Sequence, residues 1–101
     1  YDAVWPFYAS VFPDNRGALL SYDPDSVLTS FFLISSASFS QGLAEEETNN
    51  FDPYTNRHYF VATGPDHVLW LTPDVTTKTV TLREFLARMV TDDAGWASVK
   101  P

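Results

Sequence analysis

The clearest helical pattern of the chain lies near its C-terminal end. Apolar side chains recur there at spacings of three and four, at Leu82, Phe85, Leu86, Met89 and Val90. Thr81 stands just before this run and Glu84 follows three residues later, which is the pattern of a helix capping box. Asp92, Asp93 and Gly95 end the periodicity. We therefore predict an amphipathic helix that begins at Leu82.

The N-terminal end shows a shorter helical pattern. From Trp5 onwards, Tyr8, Val11 and Phe12 recur at helical spacing, and Pro13 ends the run. Asp14 can then cap a second short helical segment that continues through Leu20. These two pieces predict helical structure at the start of the chain.

Three further segments have the composition of strands. Residues 27–36 place apolar side chains on both sides of an extended chain, which predicts a strand covered on both faces. Residues 58–63 and 67–72 are also rich in strand-forming residues, and Gly64, Pro65 and Asp66 separate them. A hairpin is the simplest interpretation of this pair.

Between the strand segments, residues 41–54 are polar and acidic, with Glu45, Glu46 and Glu47 in a row. Such a run predicts a flexible, solvated loop. Since 101 residues suit one hydrophobic core, we predict a single domain, residues 1–101, that contains this loop.

Composition narrows the possible functions. The formal net charge of −7 argues against direct nucleic acid binding, which requires a basic face. The chain has no cysteine, which excludes disulfides, thiolate catalysis and cysteine metal sites, and favours an intracellular location, nuclear or cytoplasmic. The most apolar run, residues 27–37, is too short to span a bilayer, so no membrane role is predicted.

Candidate chemistry is sparse. The two histidines, His58 and His67, fall on neighbouring predicted strands and could share a metal with Asp66, but no third ligand stands at a recognisable spacing. Asp23 and Asp25 flank Pro24, where short carboxylates usually stabilise a turn. The serines lack a nucleophile-elbow context, and the four glycines form no phosphate-binding loop. We therefore predict no enzyme activity, no cofactor and no metal.

In the N-terminal third, paired aromatics, a later Phe, an Arg, a Leu, a Tyr and a Ser stand in order, at Phe7, Tyr8, Phe12, Arg16, Leu19, Tyr22, Ser26 and Thr29. This order resembles the opening of nuclear-transport-factor-2-like domains, in particular the dimerisation domain of messenger-RNA export receptors. The resemblance covers about a quarter of the chain. It implies a cone-shaped fold in which helices pack into a curved antiparallel sheet, whose other side often pairs with a second domain.

Together these observations predict an α+β fold with a curved antiparallel sheet, N-terminal helices and one C-terminal amphipathic helix. Strands that are apolar on both faces favour a partner, because few helices remain to cover them. We predict a non-enzymatic interaction domain that pairs through its sheet with another protein subunit, identical or different. The partner-binding residues predicted are Phe31, Tyr59, Val61, Trp70 and Trp96, although the sequence favours a core position over a partner contact for Trp70.

Two alternatives remain open at this stage. The acidic charge and the final strand-then-helix pattern are similar to small inhibitory or immunity-type proteins that mask a basic partner surface. A cone-shaped interior could also serve as a ligand pocket or as the site of an enzyme.

Overall fold

The computed structural model describes residues 3–101. It contains four α-helices, two pairs of strands, one π-helical turn and one 3₁₀ helix. In chain order these are α1 (Val4–Val11), β1 (Gly17–Asp23), α2 (Ser26–Phe32), α3 (Ser36–Glu46), the π-helical turn (Glu47–Phe51), β2 (Arg57–Thr63), the 3₁₀ helix (Leu69–Leu71), β3 (Thr76–Thr77), β4 (Val80–Thr81) and α4 (Leu82–Val90).

The main sheet is built on two parallel strands. β1 pairs with β2 in a register that runs from Gly17 opposite Arg57 to Asp23 opposite Thr63. On the other side of β2, the N–H of Val61 donates to the carbonyl of Val99 at 2.9 Å, and the N–H of Val99 donates to the carbonyl of Tyr59 at 2.8 Å. β2 therefore lies in the middle, between β1 and the C-terminal segment.

Side chains alternate along β2 between two hydrophobic clusters. Phe60 and Ala62 pack in one cluster with Leu82 and Phe85 of α4. Tyr59 and Val61 pack in the other with Phe51, and Trp5 and Leu43 lie against them. Because the clusters lie on opposite faces, helices of the same chain cover both sides of the sheet.

The α+β class and the C-terminal helix are confirmed, whereas the predicted antiparallel arrangement is wrong for the main sheet. The chain leaves β1, passes through α2 and α3, and returns as β2 in the same direction. A crossover of this kind produces parallel strands. Among residues 3–101, antiparallel pairing is limited to the two-residue strands β3 and β4.

Two predicted strands are absent. Residues 27–36 form α2 and the turn after it, because the Asp25 side chain caps the helix and accepts from two of its first N–H groups. Residues 67–72 contain the 3₁₀ helix, so the hairpin with residues 58–63 does not form. β2 bonds to β1 and to Val99 instead.

Two predictions about helix and loop segments are also wrong. The segment predicted as a second short helix up to Leu20 is mostly strand β1, because it pairs with β2 about forty residues later. The loop predicted for residues 41–54 is helical to Phe51, in α3 and then the π-helical turn. Ser35 begins α3 by accepting from the N–H of Ser38 at 3.0 Å.

The predicted helices at both ends of the chain are confirmed. α1 spans Val4–Val11, and α4 begins at Leu82. Thr81 Oγ1 accepts from the N–H of Glu84 at 3.1 Å, and the Glu84 carboxylate accepts from the N–H of Thr81 at 2.8 Å. The Thr81 N–H and the Thr81 hydroxyl both donate to this carboxylate and stabilise its ionised form, so the pKa of Glu84 lies below its ordinary value.

Candidate interaction surface

Helix α2 is held at its start by a buried carboxylate. Asp25 is 2% exposed, and its Oδ1 accepts from the N–H groups of Val27 at 3.0 Å and Leu28 at 2.9 Å. These are two of the donors that have no partner within the helix itself. Its Oδ2 accepts from Nδ1 of His67 at 2.7 Å. One side chain therefore both caps the helix and joins it to a distant segment.

A second contact joins the same two segments. The N–H of Ser26 donates to the carbonyl of Pro65 at 3.0 Å, and the Ser26 hydroxyl donates to the same oxygen. Since His67 and Pro65 precede the 3₁₀ helix, that helix leaves from the base of α2. The two elements are thus fixed to each other at the C-terminal end of β1.

The end of α2 has a backbone conformation that usually calls for glycine. Leu33 has φ 54° and ψ 41°, in the left-handed region. Its N–H donates to Ser30 at 3.4 Å, and the N–H of Ile34 donates to Thr29 at 3.0 Å. This pair of bonds is a Schellman motif, in which glycine is the common residue at the left-handed position. A leucine there is conformationally unfavourable.

The α2 segment and the 3₁₀ helix expose many large apolar side chains. Leu33 is 91% exposed, Phe31 77%, Trp70 66% and Leu71 64%. We call the whole set the α2 surface; it comprises Val27, Phe31, Phe32, Leu33, Ile34, Val68, Trp70 and Leu71. None of the residues of α2 is buried. Single exposed apolar residues are common, but so many on two joined segments indicate an interaction site.

Of the five predicted partner-binding residues, two are exposed and three are buried. Phe31 and Trp70 lie on the α2 surface. Trp70 is therefore exposed and does not occupy a core position. Tyr59 at 5%, Val61 at 2% and Trp96 at 8% exposure lie in the interior, because β2 and the C-terminal segment run between the two helical layers. Those three side chains hold the core together.

Sequence reasoning missed most of the α2 surface. Phe32, Leu33 and Ile34 were assigned to a strand, and Leu71 to a hairpin. One signal could have located the site: residues 26–44 contain no charged side chain, although 19% of the chain is charged. A charge-free stretch that is also apolar is typical of buried or partner-binding chain.

Helix α1 carries a second group of exposed aromatic side chains. Phe7 is 55% exposed and Tyr8 49%, and their rings meet edge to face at a centroid distance of 5.6 Å. Tyr8 in turn stacks on Phe12 at 5.7 Å. Because the two residues before Ala3 lie outside the described range, we leave this group out of the candidate surface.

The titratable groups with shifted pKa values lie around β2 and α4. Burial lowers the pKa of His58, which contacts Trp96 edge to face at 4.5 Å, while the charge of Asp52 acts in the opposite direction. Burial also raises the pKa of Tyr59 and lowers that of Arg57. The eight side chains of the α2 surface include no titratable group.

The acidic triplet does not form a uniform negative face. Glu45 is exposed, but Glu47 is 3% exposed and its carboxylate accepts from Lys100 at 2.7 Å. This hydrogen bond raises the pKa of Lys100. Glu47 therefore fixes the C-terminal segment to the π-helical turn and is not available to a basic partner.

The histidines do not assemble a metal site. His67 binds Asp25, whereas His58 lies within 3.2 Å of the Ser98 hydroxyl at the C-terminal segment. Within residues 3–101, no group of three or more His, Cys, Asp or Glu side chains is placed to hold a metal ion. A polar cleft of about 430 Å³ lies elsewhere, lined in part by Asp14, Arg16 and Asp92.

Comparisons with family models, with curated proteins and with solved structures found no match. The resemblance to nuclear-transport-factor-2-like domains therefore stays a prediction. Within the described residues no single helix is long and apolar enough to cross a membrane. Helix α2 and the helical residues 36–51 are together long and apolar enough, but their axes meet at a bend of 105°.

Proposed function

We propose that the chain is a non-enzymatic protein–protein interaction domain that binds another protein subunit through the α2 surface. The observation that supports this most directly is the exposure of Phe31, Leu33 and Trp70 on two segments joined at Asp25. Burying such side chains against a partner gains about 1.5–3 kcal/mol for each large apolar residue. This gain favours association.

The proposed contact differs in place from the one predicted from sequence. Helices of the same chain cover both faces of the main sheet, so the faces are not free to pair with another subunit. The apolar residues of the segment 27–36, which suggested pairing as a strand, lie instead on helix α2 and the turn after it. The inference of a partner is kept, and the surface moves from the sheet to α2.

Other parts of the proposal rest on composition. The net charge of −7 and the charge-free stretch at residues 26–44 suit an apolar protein partner better than nucleic acid. The absence of cysteine is compatible with an intracellular location, nuclear or cytoplasmic, which we include in the proposal.

Site-specific photo-crosslinking in cells that express the protein tests this function. A photoreactive amino acid at position 31 should give a covalent adduct of discrete mass. The matched control is position 94, an exposed alanine two residues after Asp92. Asp92 pairs at 2.7 Å with Arg16, which precedes the start of β1, whereas α2 begins after the end of β1. The two ends of this seven-residue strand are about 20 Å apart.

Position 94 should therefore give no adduct. If position 31 gave none either, and a repeat at the exposed position 70 also failed, the α2 surface would have no partner and the proposed function would be wrong.

A further inference from the structure

We propose that the partner of the α2 surface is a second copy of this chain, bound about a two-fold axis so that the α2 surface of one copy packs on that of the other. This inference rests on the proposed function and adds the identity of the partner. In such an isologous dimer, each contact occurs twice and the interface closes on itself. Three observations support this partner: the area of the surface, its lack of charge, and the conformation of Leu33.

The summed exposed area of the eight side chains of the α2 surface is comparable with the area that one chain contributes to a stable dimer. Three aromatic side chains, Phe31, Phe32 and Trp70, are 77%, 61% and 66% exposed. A large aromatic side chain has roughly 200 Å² to bury, so these three present roughly 400 Å². With the five aliphatic members the total approaches roughly 800 Å², which is the amount each partner contributes to a standard interface.

Charge also favours two identical copies meeting here. Each copy has a formal net charge of −7, so most orientations of two copies bring carboxylates together. Residues 26–44 contain no charged side chain, and neither do residues 68–72 of the 3₁₀ segment. Contact through the α2 surface therefore lets two acidic chains approach without placing like charges in the interface.

The conformation of Leu33 points to the same site. A left-handed backbone is unfavourable for a non-glycine residue, and a side chain that is 91% exposed regains nothing by packing within its own chain. Glycine would fit this position better in the isolated chain. A protruding leucine becomes favourable when a partner removes its apolar surface from water.

The test uses a substitution that should not harm the fold. Leu33→Gly removes the exposed side chain and relieves the backbone. The matched control is Lys78→Gly, because Lys78 has φ 55° in the exposed turn between β3 and β4 and is not a member of the α2 surface. Analytical ultracentrifugation and light scattering of the purified chain measure the dissociation constant of the dimer for each variant.

We expect the unmodified chain and Lys78→Gly to form dimers with the same dissociation constant. Leu33→Gly should raise that constant about 30-fold for each of the two Leu33 side chains that the dimer buries. Phe31→Ser, a second variant on the same surface, should weaken the dimer in the same direction.

Three outcomes would overturn the second copy as partner. One is a chain that stays monomeric at about 100 µM, a second is a dimer that Leu33→Gly and Phe31→Ser leave unchanged, and a third is equal weakening by Lys78→Gly. A monomer whose position 31 still crosslinks to a different protein in cells would refute the homodimer and leave the proposed function standing. A monomer with no adduct would refute both.

Discussion

Strand β2 and helix α2 both have many apolar side chains, yet those of β2 are mostly buried and those of α2 are mostly exposed. Phe60 of β2 is fully buried, whereas Phe31 of α2 is 77% exposed. The difference does not come from the residues themselves, since both are phenylalanines in short apolar segments. It comes from neighbours, because α4 and the π-helical turn pack on the two faces of β2, whereas none of the residues of α2 is buried.

An apolar pattern thus identifies residues that are able to be buried, and the rest of the chain decides whether they are. In the β2 region that decision is made within the chain, by helices on both faces. In the α2 region residues 3–101 leave Phe31 and Leu33 exposed, and we propose that a partner buries them. We therefore expect substitutions in the two regions to have different effects: those near β2 should affect folding, and those on α2 should affect association.

The largest expected difference is between two phenylalanine substitutions. Phe60→Ala should lower the free energy of unfolding by about 3–5 kcal/mol, because it leaves a cavity next to Phe85, whose ring centroid is 5.6 Å away. Phe31→Ala should change it by less than about 0.5 kcal/mol in the monomer. Urea denaturation at low protein concentration measures both. Equal losses would mean that α2 is part of the core.

The cap of α2 should give the next largest effect. Asp25→Ala removes the acceptor of two backbone N–H groups and of His67, so we expect a loss of about 2–3 kcal/mol in the free energy of unfolding. Asp66→Ala, at an exposed neighbouring carboxylate, is the control and should cost less than about 0.5 kcal/mol. Thermal denaturation followed by circular dichroism compares them.

Asp25→Asn refines this measurement. The amide oxygen can still cap the helix, while the second carboxylate oxygen, which lies 2.7 Å from Nδ1 of His67, is replaced by an amide nitrogen. A cost near half that of Asp25→Ala is expected. A cost as large as that of Asp25→Ala would assign the whole effect to the His67 contact.

The cap of α4 provides the corresponding substitution on the core side. Thr81→Ala removes one half of the capping box at the solvent-exposed start of that helix, so the expected loss is about 1 kcal/mol. The control is Thr79→Ala, which alters an exposed threonine two residues earlier. A loss larger than that of Asp25→Ala would reverse the order of the two caps and show that α2 contributes little to folding.

The two caps also show why some elements could be predicted from sequence and others could not. Thr81 and Glu84 act within one turn, beside a periodic apolar run, so local sequence sufficed to predict α4. Asp25 stabilises α2 partly through His67, 42 residues later, and residues 27–36 are apolar on every side, so no period distinguished helix from strand. The partner of β1 is equally distant, which is why that strand was predicted as a helix.

The same limit applies to the candidate surface. The charge-free stretch at residues 26–44 is visible in the sequence, and two of the five predicted partner-binding residues lie on the surface. Tyr59 and Val61 could not be separated from Phe31 by sequence, because all three lie in apolar segments. The three-dimensional position of α4 and the π-helical turn is needed to show that the chain buries Tyr59 and Val61 and leaves Phe31 exposed.

A smaller effect on the core side depends on pH. Burial lowers the pKa of His58, so below about pH 6.5 the unfolded chain binds a proton at this residue more readily than the folded one. Stability should therefore fall as the pH decreases from 6.5, by less than about 1 kcal/mol for this residue. His58→Gln should show a shallower decrease, measured by urea denaturation at several pH values. Equal slopes would contradict the assignment.

The smallest expected effect is a gain in stability on the α2 side. Leu33→Gly relieves a left-handed backbone and removes a side chain that is 91% exposed, but glycine also gives the unfolded chain more freedom. The balance should stabilise the monomer by about 0.5 kcal/mol, and Lys78→Gly should give a similar gain. Urea denaturation below the concentration of dimer formation measures both. A loss above about 1 kcal/mol for Leu33→Gly would show that Leu33 packs within its own chain, which would bring α2 into line with β2 and remove the contrast between the two regions.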